Sequence, residues 1–176
     1  MAPPEAVLQK NTLPGSCWPM EGSSGQIVLK LANPVVVESI SVDHISSTII
    51  PEGKTNSAPK KLKIIGYPPC DEMKSSCGAV GFDLSDPIDI ATIEYDKEGP
   101  SVQTFESLYT KALASIPKPA FDANDMESGS CSVQASCSTP PKISVAAIEV
   151  NVLENWGNPD FTCLYRLRVH GETEKM

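Results

Sequence analysis

The side chains of this 176-residue chain whose chemistry would be most telling are six cysteines, two histidines and one Asp-His pair. Asp43-His44 lies close to Ser46 and Ser47, which are the residue types of a hydrolytic relay. Such a relay also needs a nucleophile on a sharp strand-to-helix turn and backbone amides arranged for an oxyanion, and neither word is present. No carboxylate pair with a context for acid-base work can be named. No Gly-rich loop follows a strand and opens a helix, so nucleotide chemistry is unsupported too. The expectation is a protein that is not an enzyme.

The cysteines read differently. Cys70 and Cys77 flank a polar loop, and Cys131 and Cys137 sit in a Ser-rich one, so each pair could close a short ring. Neither pair has the spacing of a zinc knuckle, and His44 and His170 belong to other words of the sequence. Structural disulfides are therefore favoured over any metal site built from side chains. Six cysteines in a chain of this size also point to an oxidising compartment.

The positioning elements come from one domain's worth of chain, since a polypeptide near this length buries roughly 70% of its unfolded surface. A formal net charge of −8 leaves no basic face to release counterions, which excludes a nucleic-acid partner. The one short basic cluster, Lys60-Lys61-Lys63, fits the wet face of a strand. No apolar run approaches twenty residues, and Met1-Ala2-Pro3-Pro4 lacks the basic and apolar regions of a signal peptide.

Strand-like runs recur at 5–8, 26–31, 35–42, 62–66, 88–94, 102–105, 143–153 and 164–169. Ile27, Leu29 and Leu31 alternate with Gln26 and Lys30, and Ile148, Val150 and Val152 alternate with Glu149 and Asn151. That is the pattern of antiparallel sheets with one solvated face. Sixteen prolines and eleven glycines punctuate the intervals, so long helices are not expected and the fold reads as an all-β sandwich or barrel. Two stretches break the rhythm, 68–79 and 107–141. Both are rich in Pro, Ser, Asp and Cys, and only Ser107 to Ala114 offers up to two helical turns. They read as long surface loops.

The segment from Asn155-Trp156-Gly157-Asn158-Pro159 through Phe161-Thr162-Cys163-Leu164-Tyr165 to Val169-His170-Gly171 closely resembles the C-terminal signature of SUN domains, the Sad1/UNC-84 family. Gly15-Ser16-Cys17-Trp18 followed by Gly22-Ser23-Ser24-Gly25, and Ser57-Ala58-Pro59-Lys60 after Asp43-His44, match in the same order. The resemblance implies a β-sandwich of the galactose-binding, jelly-roll-like type. It spans residues 5–172, incomplete at the N-terminus, with 1–4 and 173–176 as flexible ends, and it makes 68–79 and 107–141 insertions. In it, Glu5-Ala6-Val7-Leu8-Gln9 matches a strand. The upstream helix, coiled coil and membrane segment of the family have no counterpart, so the chain reads as a fragment.

The resemblance also implies site residues. Glu21 to Ser41 would be a raised β-hairpin lid that receives a peptide by β-augmentation, through Glu21, Gly22, Ser23, Gly25, Ile27, Leu29, Val35 and Val37. Cys17 would form an intermolecular disulfide with the peptide, although a structural or intramolecular role is also open to it. The loop from His44 to Lys60 would hold a monovalent cation, K+, on backbone carbonyls, with His44, Ser47, Ile49, Lys54 and Tyr165 as the candidates. Ser101, Phe161 and Tyr165 would form the pocket for the peptide's terminal carboxylate. The cysteine that many relatives place in the cation loop to bridge the position of Cys163 is absent, which leaves Cys163 without its usual partner.

The function implied is a receptor for the C-terminal tail of KASH proteins, acting as a homotrimer in a bridge across the nuclear envelope. It would lie in the perinuclear space or ER lumen, attached to the inner nuclear membrane by a segment outside this chain. A protein- or glycan-binding sandwich of the ER lumen, engaged in protein quality control, is the alternative.

Overall fold

The computed structural model describes residues 2–46, 48–50, 55–70, 80–115 and 142–173. Its described elements are β1 (Trp18–Glu21), β2 (Gly25–Asp43), β3 (Pro59–Tyr67), β4 (Ile88–Glu94), β5 (Val102–Glu106), α1 (Leu108–Ala114), β6 (Val145–Asn155), β7 (Phe161–Leu164) and β8 (Arg166–Thr173). The strands form a curled antiparallel sheet in the order β4-β3-β6-β2-β5, with β8 also on β2, and a separate β1–β7 ribbon. This is the all-β, jelly-roll-like architecture expected from the alternation of apolar residues. Among the described residues, no helix is long and apolar enough to cross a membrane.

β2 makes the curl. Gly25–Lys30 pairs with β6, whereas Val35–Asp43 pairs with β8, and Ser39–Asp43 pairs with β5 as well. Between Lys30 and Val35 the register shifts, because Lys30 faces Ala147 and Val35 faces Val145. Leu31 to Pro34 are thus set against the single residue Ala146, and the strand turns a corner.

The raised hairpin lid expected over residues 21–41 does not form. The segment is one continuous strand, Gly25–Asp43, whose two halves lie on different neighbours. The two apolar runs therefore bend into different partners instead of pairing with each other.

The core fills the inside of the curl. Ile40, Leu62, Ile64, Ile93, Val145, Ile148, Val150, Val152, Leu164 and Leu167 pack in one cluster, with Trp18, Phe105 and Trp156 at its margin. The expected strand at 5–8 is instead a 3-10 turn, Pro4–Leu8, closed by the Gln9 N–H on the Ala6 carbonyl at 3.0 Å. Proline at its start removes a ladder donor and presets a helical φ, which the apolar residues alone did not reveal. Thr173 pairs with Val35, so the ordered strand runs into the end expected to be flexible. The short helix expected after Ser107 is α1, and the Ser107 hydroxyl caps it by accepting the Thr110 N–H at 3.1 Å. Of the insertions, 71–79 and 116–141 lie outside the described residues, as do Cys77, Cys131 and Cys137. Cys70 is disulfide-bonded.

Candidate ligand cleft

The turn Asn155 to Asp160 organises one end of the molecule through a single amide side chain. The Asn155 Nδ2 donates to the Asn158 carbonyl at 2.8 Å, to the Phe161 carbonyl at 3.3 Å and to the Thr162 Oγ1 at 2.9 Å. Its Oδ1 accepts the N–H groups of Gly157 at 2.9 Å and Asn158 at 3.1 Å. Gly157 takes φ 105°, where a side chain would be strained. Thr162 passes the order on by donating to the Gly22 carbonyl at 2.9 Å.

This turn delivers β7 beside the loop before β3. The Cys163 N–H donates to the Ser57 carbonyl at 2.8 Å, and the Asn158 N–H donates to the Asn56 carbonyl at 3.2 Å. Between these segments and the loop 9–17 lies a cleft of about 410 Å³. Pro14, Gly15, Pro19, Ile45 and Ile50 make its apolar walls, and Ser57, Phe161 and Tyr165 face it together with Cys17 and Cys163.

Two of the three residues expected in the carboxylate pocket, Phe161 and Tyr165, therefore meet. Ser101 does not line the cleft, whereas Ser57 does. The Ser101 carbonyl is engaged elsewhere, accepting the His44 N–H at 2.7 Å and the Tyr95 hydroxyl at 3.3 Å. The signal that points to Ser57 is its hydroxyl at the head of the matched block Ser57-Ala58-Pro59-Lys60.

Cys17 and Cys163 are joined to each other, with Cα atoms 5.5 Å apart, within the range a disulfide requires. In this state the Cys17 sulfur is not free for an intermolecular bond. Cys163 finds its partner in the Gly-Ser-Cys-Trp block and needs none from the loop after His44.

No charged side chain lines the cleft among its described residues. Burial raises the Tyr165 hydroxyl above its ordinary value, offset in part by a backbone hydrogen bond from Gly15, so the phenol stays a neutral donor. His44 is lowered, mainly by burial and against a hydrogen bond with the Ile45 backbone, and stays uncharged at neutral pH. Tyr95 is pushed up to about 12 by burial first, then by the charges of Asp43 and Asp96.

The former lid residues line no such cleft. Glu21 pairs with Phe161, and Gly22 turns at φ 74° with its N–H on the Asp160 carbonyl at 2.9 Å. Ser23 lies in the turn that follows. Gly25, Ile27 and Leu29 pair with Val152, Val150 and Ile148, while Val35 and Val37 pair with Thr173 and Gly171.

The imagined relay is not assembled. The Asp43 carboxylate accepts from the Arg168 Nη2 at 2.7 Å and Nε at 3.2 Å, and Ser46 bonds Thr48 at 2.8 Å. For the monovalent cation, Ser47 and Lys54 lie outside the described residues. Five of the described loop carbonyls accept hydrogen bonds within the chain: Ile45 from His44 Nδ1, Ser46 from Ile49, Thr55 from Ala58, Asn56 from Asn158 and Ser57 from Cys163. His44 and Tyr165 meet ring to ring, and Ile49 is an exposed turn residue. Nothing below is routed through an ion. Among the described residues no group of His, Cys, Asp and Glu could hold a metal.

A curled antiparallel sheet with an uncharged, hydroxyl-bearing cleft defines a binding domain. The Sad1/UNC-like C-terminal family matches residues 1–117 and 69–173, and the chain belongs to that family. It is 31% identical over 169 residues to mouse SUN domain-containing protein 3, covering 96% of this chain and 40% of that protein. It is 31% identical to human sperm-associated antigen 4 protein and 28% identical to human SUN domain-containing protein 1, covering 29% and 17% of those proteins. The chain thus spans two fifths or less of these relatives.

Among solved structures it is similar to the family 32 carbohydrate-binding module of Streptococcus pneumoniae EndoD. The TM-score is 0.54 at 13% identity, over 96% of this chain and 84% of that one. An F5/8 type C domain from Bacteroides fragilis superposes with a TM-score of 0.53 at 9% identity, over 97% of this chain and 81% of that one. At such identity these likenesses show the fold alone.

Proposed function

We propose that the cleft receives the free C-terminus of a KASH-type tail. The chain then serves as the lumenal, peptide-gripping module of a bridge across the nuclear envelope. The observation that carries the reading is that Ser57, Tyr165 and Phe161 line one cleft, walled mainly by proline, isoleucine and a disulfide. Neutral hydroxyls and backbone amides can hold a carboxylate without a counter-charge, each hydrogen bond to a charged group contributing roughly 1.5–3 kcal/mol. The apolar walls suit the residues just before it. Membership of the Sad1/UNC-like family supports the tail as the ligand class and the perinuclear space as the place. In the whole protein the site would work as a homotrimer, tethered to the inner nuclear membrane through a segment outside this chain.

The test compares a fluorescent KASH tail peptide with a free terminal carboxylate against the same peptide amidated, each titrated against the chain. Binding of the acid at least tenfold tighter than the amide supports the reading. Equal affinity for the two forms overturns it.

A further inference from the structure

We propose that Tyr95, His44 and Tyr165 form a buried aromatic file in which His44 is a positioning residue, its uncharged ring fixing the Tyr165 ring that walls the cleft. The three residues are 2%, 4% and 5% exposed. His44 meets Tyr165 edge to face, with centroids 4.9 Å apart and planes at 78°, and meets Tyr95 at 6.0 Å with planes at 49°. An edge-to-face contact depends on ring orientation, so it transmits direction as well as bulk.

The far end of the file is anchored by backbone. The Tyr95 N–H donates to the Lys60 carbonyl at 2.8 Å, its carbonyl accepts the Trp156 indole N–H at 3.0 Å, and its hydroxyl donates to the Ser101 carbonyl at 3.3 Å. His44 is held at the middle by its own N–H on that same Ser101 carbonyl and by Nδ1, 3.2 Å from the Ile45 carbonyl. Nδ1 therefore carries the hydrogen and Nε2 is a bare lone pair.

That Nε2 is closed off from solvent and has no hydrogen-bond partner. A buried polar atom without a partner weakens a fold, and a phenyl ring would fill the same place without that cost. The nearest carboxylate in sequence, Asp43, is taken up by Arg168 and Arg166. His44 does not itself line the cleft, so its influence on a ligand passes through Tyr165.

This inference rests on the tail-carboxylate reading, and the experiment separates the two. His44→Ala opens a cavity that can unfold the chain, so His44→Leu and His44→Phe are used instead, with the acid and amide peptides as probes. The expected result is that His44→Leu weakens the acid peptide about tenfold and leaves the amide unchanged, whereas His44→Phe keeps acid affinity within about twofold. In aromatic NMR spectra the Tyr165 ring signals shift in His44→Leu and stay near their native positions in His44→Phe. Native affinity for the acid in His44→Leu, equal losses for acid and amide, or unmoved Tyr165 signals would overturn the file. If the native chain itself fails to distinguish acid from amide, the tail reading falls, while the Tyr165 signals still decide whether His44 positions that ring.

Discussion

Cys17 and Cys163 are bonded across 146 residues of sequence, and their bridge forms part of the cleft wall. It ties the loop 9–17, which carries Pro14 and Gly15, to β7, which carries Phe161. Two walls of the cleft thus share one covalent link.

The first prediction follows from that link. Closing a loop this long removes much freedom from the unfolded chain, and native disulfides commonly stabilise by about 2–4 kcal/mol. The double variant Cys17→Ser, Cys163→Ser should melt roughly 10 °C lower by calorimetry. It should also bind the acid tail peptide more weakly. An unchanged melting temperature would show that the bridge does not constrain the fold.

The second prediction concerns the serine that lines the cleft. Ser57→Glu brings a negative charge into an uncharged cleft and should weaken acid-peptide binding by more than tenfold, equivalent to at least about 1.4 kcal/mol. Ser101→Glu should leave that affinity within about threefold, because Ser101 does not line the cleft. A reversed order of the two variants in the same titration would return the pocket to Ser101.

The third prediction is about the β2–β8 seam. Gly171 faces Val37 next to a register shift, and a Cβ there would run into the Val36 carbonyl and the Val35 side chain. The obstacle is backbone and cannot rotate away. Gly171→Ala should therefore cost about 1–3 kcal/mol in denaturant unfolding. A stability equal to the native chain's would mean that the seam opens without penalty.

The sequence made the class of fold legible because period-two alternation, as in Ile27–Leu29 and Ile148–Val150–Val152, depends only on one face being buried. It did not show that β2 bends instead of turning back, since alternation is blind to which strand lies alongside. The apolar run Ala6–Leu8 hid the 3-10 turn that Pro4 opens, and Pro19 hid β1. Phe161 and Tyr165 were legible as neighbours because both sit in one short matched word, and both line the cleft. Ser57 and the Cys17–Cys163 bond depend on segments far apart in the chain, whose approach is set by the Asn155 hub and the β1–β7 register. No local pattern announces that approach.

The fourth prediction takes its sign from His44. Burial lowers its proton affinity in the folded chain below the ordinary value of 6.5, so the unfolded chain binds more protons as pH falls past that value. Stability tied to the neutral ring is therefore fully present above about pH 6.5 and declines as pH drops toward the lowered folded value. The carboxylates contribute alike to the native chain and to His44→Phe, so the difference between them isolates this residue. Melting temperatures measured from pH 7 to pH 5 should fall more steeply for the native chain than for His44→Phe. Parallel curves would mean that the His44 ring is hydrated in the folded state, and the desolvated ring at the centre of the aromatic file would have to be abandoned.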